Sequence, residues 1–88
     1  MTEQEKVAKL ESFINEGVRD ITPKDDIKVE SYINANKNIK DLFEKNDKQT
    51  FIKEIANKIE YYSKVESERG KANYEAFLDV FNEYNKLF

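Results

Sequence analysis

The final fifteen residues carry aromatic side chains at alternating intervals of three and four positions, and this spacing most constrains the fold. Such intervals place side chains on one face of an α-helix. Seven of the chain's eleven aromatic residues follow position 60, so aromatic packing is predicted to concentrate there. The residues of this aromatic stripe are Tyr74, Phe77, Phe81, Tyr84 and Phe88.

The first helix is predicted to begin at Thr2. Thr2 and Glu5 have the spacing of a capping box, in which each residue satisfies a backbone N–H of the other. Gly17 is expected to weaken the last turn. Apolar residues then recur at intervals of three or four along one face: Val7, Leu10, Phe13, Ile14 and Val18.

A second helix is predicted from Thr22 to about Lys45. Thr22 is a favourable N-cap, Pro23 suits the first helical position, and Asp25 and Asp26 suit the positive end of the helix dipole. A short strand over residues 27–33 is the alternative, and the asparagines at 34–38 are compatible with a kink or break. The apolar face comprises Val29, Tyr32, Ile33, Asn36, Ile39 and Phe43.

Two more helices are predicted after a turn and N-cap at Asn46 and Asp47. Gly70 is placed as a C-terminal cap of the third helix, and the fourth is expected from Ala72 to Leu87. A single continuous helix through Gly70 is the alternative. The third helix carries an apolar face, with Tyr61 pointing outward or sideways: Phe51, Ile52, Ile55, Ile59, Tyr62 and Val65.

These segments predict an all-α fold, a compact four-helix bundle formed by a single domain over residues 1–88. The bundle would have three helices if the last two were continuous. Short connections favour antiparallel neighbours.

The residue inventory argues against catalysis. The chain contains no His, Cys or Trp, so the usual general bases and thiol nucleophiles are missing, and Ser or Thr would have no His partner. Asp25, Asp26 and Glu30 lack the spacing of a calcium loop and are interpreted as acids at a helix start. We expect a protein that is not an enzyme and has no metal and no cofactor.

The charge pattern disfavours nucleic acid. The chain contains fifteen basic and eighteen acidic residues, for a net charge of −3, and only two of the basic residues are arginines. No apolar run reaches membrane-spanning length and no secretion signal is visible at residues 1–10, so a cytoplasmic location is expected. Frequent Lys, Asn and Ile suggest a low-GC bacterial or phage genome.

The fourth helix provides the candidate partner-binding residues. Part of its aromatic stripe is predicted to remain exposed, and the competing interpretation places the whole stripe in the core. An acidic row repeats every four residues beside it, which mildly destabilises a helix unless a basic partner offsets the repulsion. The apolar candidates are Tyr74, Tyr84 and Phe88, and the electrostatic candidates are Glu75, Asp79 and Glu83.

A small non-enzymatic protein-binding module is the predicted function. Small, acidic, helical chains without cysteine include bacteriocin immunity proteins, antitoxins and phage-encoded inhibitors, and the sequence resembles them in class only. The first alternative is a homo-oligomer, such as a homodimer, or a small subunit of a larger assembly. The second alternative is a small regulator associated with nucleic acid.

Overall fold

The structure is a computed structural model that describes residues 1–18 and 26–88. Within those ranges the chain forms four α-helices and no strand. The predicted all-α four-helix bundle is therefore confirmed. The helices are α1 (Glu3–Gly17), α2 (Ile27–Lys45), α3 (Lys48–Tyr62) and α4 (Glu68–Leu87).

Two helix starts lie where the sequence predicts them. The Glu5 backbone N–H donates to Thr2 Oγ1 at 3.2 Å, and the Thr2 N–H donates to Glu5 Oε1 at 3.4 Å. At α3, the Thr50 N–H donates to Asp47 Oδ1 at 2.7 Å, which lowers the pKa of the Asp47 carboxyl. Each side chain satisfies a backbone donor that the helix itself leaves unpaired, so both N-cap predictions are confirmed.

The start of α2 requires a correction. Asp26 is the N-cap, because its Oδ1 accepts from the Lys28 N–H at 2.9 Å, and the helix begins at Ile27. Asp26 was predicted to lie within the first turn. The predicted N-cap at Thr22, together with Pro23 and Asp25, lies outside the described residues. The alternative strand at 27–33 is wrong, since these residues are helical, and α2 runs unbroken through 34–38.

A buried amide explains both the asparagine in α2 and the glycine at the end of α1. Asn36 is only 2 % exposed, and its Nδ2 donates to the Tyr32 carbonyl oxygen at 2.9 Å. A Cβ built on Gly17 would collide with Asn36 Oδ1 and lie 2.6 Å from its Cγ. Glycine therefore permits close approach of α1 to α2, although it weakens the last turn of α1.

The connection between α3 and α4 differs from the sequence prediction. α3 ends at Tyr62 and α4 begins at Glu68, so the continuous-helix alternative is wrong. Gly70 is not a C-cap but lies in the first turn of α4, where its N–H donates to the N-cap Ser67 Oγ at 3.1 Å. Gly70 is buried, and Val65 packs against it. A Cβ atom built on Gly70 would lie only 2.7 Å from Val65 Cβ.

α2 and α4 form the central pair, since each of them contacts all three other helices, whereas side chains of α1 and α3 meet at the N-terminal ends of those helices. The N-terminal end of α1 lies beside the C-terminal end of α2, and the end of α3 lies beside the start of α4. Both pairs are thus antiparallel, as predicted. The shared core contains Leu10, Ile14, Ala35, Ile39, Phe51, Ile55, Ala76, Phe77 and Val80.

Candidate protein-binding surface

The six predicted partner-binding residues do not form one site. Tyr74 and Phe88 are fourteen positions apart, which corresponds to about 21 Å along a helix. The residues also diverge around the axis, because Tyr74 faces the α3 side while Asp79 contacts α2. The structure brings together Tyr84 with Phe88, and Glu75 with Asp79, as two separate pairs beside different neighbours.

The aromatic stripe is core at one end and surface at the other. Phe77 is 2 % exposed, while Phe81 and Tyr84 are partly buried against the core. Phe88 is 42 % exposed and stacks on Tyr84, with ring centroids 4.7 Å apart and planes inclined by 19°. Its exposure agrees with the predicted surface position, although Phe88 is held within the fold rather than projecting freely.

Two lysines from other helices hold the Phe88 ring. Lys6 Nζ of α1 and Lys48 Nζ of α3 lie 5.5 and 5.6 Å from the ring centroid. Ammonium groups at this distance are attracted by the negative face of an aromatic ring. The C-terminal end of α4 therefore contacts the N-terminal ends of α1 and α3. No residue spacing along the chain indicates this contact.

An ion pair and a concave surface lie beside this contact. Lys48 Nζ is 2.7 Å from Glu3 Oε1, and this hydrogen bond and the charge of Lys48 lower the pKa of the Glu3 carboxyl. A cavity of about 540 Å³ adjoins the pair, with Phe43 and Phe51 packed edge to face at its base, 5.3 Å between ring centroids. Its rim carries Glu3, Asp47 and Lys48, so the cavity has charges of both signs.

The acidic row is not a uniform solvent face. Asp79 Oδ2 accepts from the Tyr32 hydroxyl at 2.8 Å. Burial and the Asp79 carboxylate raise the pKa of Tyr32 to about 12, with a smaller effect of the Glu75 charge. The Glu83 side chain is only 25 % exposed and lies 3.9 Å from Lys86 Nζ.

Glu75 is exposed, as Asp79 is. It lines a cavity of about 300 Å³ between α2 and α4, together with Lys28, Lys71 and Tyr32. The sequence pattern did not indicate Tyr32, which is forty-seven positions from Asp79 and could be connected to it only through the tertiary fold.

Tyr74 belongs to a different surface, at the connection between α3 and α4. It lines a cavity of about 240 Å³ together with Tyr62 and Val65. Tyr61 lies beside Tyr62 and is 63 % exposed, which confirms its predicted outward orientation. The adjacent tyrosines at 61 and 62 were the one sequence signal for this surface.

Among the described residues, no three or more Asp or Glu side chains are grouped as metal ligands. No helix within the described ranges combines the length and apolar character that crossing a membrane requires.

The fold and these surfaces define a small helical bundle with exposed aromatic and acidic side chains on and around α4. No family model matches the chain, and no curated protein or solved structure matches it either.

Proposed function

We propose that this protein is a small non-enzymatic module that binds a larger protein and blocks or bridges it, as an inhibitor, immunity or antitoxin-like factor does. The observation that carries the proposal is the Tyr84–Phe88 stack, in which Phe88 is 42 % exposed while its ring contacts Tyr84 and two lysines. Rigid aromatic side chains are frequent anchors of protein interfaces, because little conformational freedom is lost when they bind.

The carboxylates of α4 supply the electrostatic part of the proposal. Glu75 and Asp79 are both exposed residues, and Glu75 is open to solvent at the rim of a cavity. A basic patch on the partner would be attracted to them and would bind faster at low salt. Glu83 contributes less, since its side chain is largely covered.

The test compares variants in partner capture and in affinity. Isotope-quantified capture from a low-GC bacterial lysate would use the wild type, Phe88→Ala, Phe88→Leu and Glu75→Lys. Glu11→Lys is the matched charge control, because Glu11 is exposed on α1. The partner found is then purified and its binding measured directly, with circular dichroism to confirm that each variant is folded.

We expect Phe88→Ala to weaken binding at least about tenfold, the loss typical of an interface anchor. Phe88→Leu should fall between Phe88→Ala and the wild type, and Glu75→Lys should slow association while Glu11→Lys does not. A partner that binds all folded variants equally well would contradict this assignment of the surface.

Self-association is a second candidate, favoured by the same exposed Phe88 ring, which another copy of the chain could cover. It predicts a dimer whose fraction and thermal stability rise with protein concentration. Light scattering after size exclusion measures this directly. A monomer at every concentration would remove the candidate, whereas a dimer lost in Phe88→Ala would support it.

A further inference from the structure

The cavity between α2 and α4 combines apolar lining residues with charged side chains of both signs. It has a volume of about 300 Å³, which lies at the lower end of the usual range for small-molecule sites. We call it the α2–α4 cavity. Because the proposed function uses only one of its lining residues, Glu75, the role of the rest of this cavity is open to a separate assignment.

The apolar part of the α2–α4 cavity is fixed by the fold. Two of its lining residues, Ile33 and Ala72, are buried, and Val29 is partly buried beside them. The Tyr32 hydroxyl donates to Asp79 Oδ2 at 2.8 Å, which restrains the Tyr32 ring at the edge of the cavity. The apolar body of a ligand would therefore meet a surface that is already ordered, which lowers the entropic cost of binding.

The charged lining residues do not neutralise one another. Lys28, Lys71 and Glu75 are exposed side chains that all line the α2–α4 cavity. Among the described residues, no ion pair joins Glu75 to either lysine, whereas Asp41 and Lys45, which are also four positions apart, form one at 3.1 Å. Positive and negative charges are therefore held apart at the edge of one small cavity.

This arrangement has the spacing and the signs of a zwitterion. Lys71 and Glu75 are one helical turn apart, so their Cβ atoms are separated by about 5–6 Å. A free amino acid carries its carboxylate and its ammonium group on one carbon atom, so a single molecule can contact both side chains. Lys28, on the facing helix, supplies a second cation for the carboxylate.

Other classes of ligand match the α2–α4 cavity less well. An apolar anion would face the Glu75 carboxylate, an apolar cation would face two lysines, and an uncharged molecule would use none of these charges. An amino acid with a polar side chain would leave the apolar lining uncovered. We propose that the α2–α4 cavity binds a free amino acid with an apolar side chain.

This inference goes beyond the proposed function and does not depend on it. Glu75 belongs to both surfaces, but Phe88, which carries the proposed function, is thirteen positions away, about 20 Å along α4. Binding of an amino acid can therefore be measured without the protein partner, and either assignment can fail while the other stands.

The experiment uses L-phenylalanine as the probe, titrated into the isotope-labelled full chain while backbone amide resonances are followed. Three comparison ligands each remove one feature of the probe. Glycine lacks the apolar side chain, N-acetyl-L-phenylalanine lacks the ammonium group, and L-phenylalaninamide lacks the carboxylate. The apolar lining and the two signs of charge are thus tested separately.

We expect L-phenylalanine to shift the resonances of residues 28–33 and 71–75 in a saturable manner, and glycine to leave them in place. N-acetyl-L-phenylalanine and L-phenylalaninamide should each bind about two- to fivefold more weakly than L-phenylalanine. This loss is the size expected for one exposed ion pair, because solvent screens such pairs.

Two variants identify the groups that recognise the zwitterion. Glu75→Gln should abolish the preference for L-phenylalanine over its N-acetyl form, and Lys71→Gln should abolish the preference over the amide instead. Lys37→Gln is the matched control, because Lys37 is exposed on α2 and does not line the α2–α4 cavity. A variant that only disturbed the fold would weaken all the ligands alike, so the two preferences separate recognition from stability.

The proposal is overturned if L-phenylalanine causes no saturable shift at these residues, if glycine binds as well, or if both preferences persist in the variants. Tighter binding of the N-acetyl form than of L-phenylalanine would also overturn it and would assign the α2–α4 cavity to apolar anions. A partner lost through Phe88→Ala, together with no amino acid binding, would remove this inference alone and leave the proposed function standing.

Discussion

The two ends of the aromatic stripe have the same residue spacing and opposite environments. Phe77 lies where α4 is flanked by its neighbours and is 2 % exposed, whereas Phe88 lies at the bundle end and is 42 % exposed. Helical periodicity identifies a common face, but the neighbouring helices decide how much of that face is covered. A single stripe can therefore supply both a core residue and a candidate interface residue.

Replacing each of these phenylalanines by alanine should give the largest difference in lost stability between the two ends of the stripe. Phe77→Ala removes a buried ring and leaves a cavity, which typically costs about 3–5 kcal/mol. Phe88→Ala should cost about 1 kcal/mol or less, because only a stack and two cation–π contacts at the surface are lost. Urea unfolding monitored by circular dichroism measures both losses.

If Phe77→Ala fails to fold, Phe77→Leu keeps most of the volume and still allows the comparison. Equal losses for the variants at the two positions would show that Phe88 is as structural as Phe77. The proposed interface at the bundle end would then lose its support.

Local patterns predicted the parts of the fold that depend on neighbouring residues. The caps at Thr2 and Asp47 and the buried face of α2 follow from side chains within four positions of one another. The boundary at Gly70 was wrong because two local signals compete there. Glycine commonly ends a helix, yet Ser67 begins one, and packing against Val65 favours the second outcome.

The candidate surface was less predictable, because its geometry depends on contacts between helices. The sequence identified Phe88 as a surface candidate and Tyr61 as outward, but not the lysines on the Phe88 ring. It also identified Asp79 as an electrostatic candidate, but not the Tyr32 hydroxyl that donates to its carboxylate. No periodicity encodes either contact.

The close contact between α1 and α2 at Gly17 should have no room for even one added methyl group. Gly17→Ala would ordinarily stabilise a helix by about 0.5–1 kcal/mol, but here its Cβ would collide with the buried Asn36 amide. We expect a net destabilisation of about 1–3 kcal/mol, which is typical of overpacking. Unfolding of Gly17→Ala, Asn36→Ala and the double variant in urea measures the coupling between the sites.

The sign of the effect is the decisive result of that cycle. In the Asn36→Ala background the added methyl group has room, so Gly17→Ala should become neutral or stabilising. If Gly17→Ala stabilises the wild-type protein instead, the close approach of α1 to α2 is refuted.

Tyr32 is half-buried at the edge of the α2–α4 contact, so its environment is intermediate between those of Phe77 and Phe88. Its replacement should give the smallest loss of stability among these core and edge variants. Tyr32→Phe removes the hydrogen bond to Asp79, which should cost about 0.5–1.5 kcal/mol.

The pKa of Tyr32 is raised from 10.0 to about 12, chiefly by burial and then by Asp79, so the folded state favours the neutral phenol. The stability from this shift is fully present below the unfolded pKa and is lost as pH rises from 10.0 to about 12. Tyrosinate absorbance should show one late titration step that disappears in Tyr32→Phe and moves to lower pH in Asp79→Asn. A late step that persists in Tyr32→Phe would show that another tyrosine is the shifted one, and that the edge of this contact is more open than its geometry indicates.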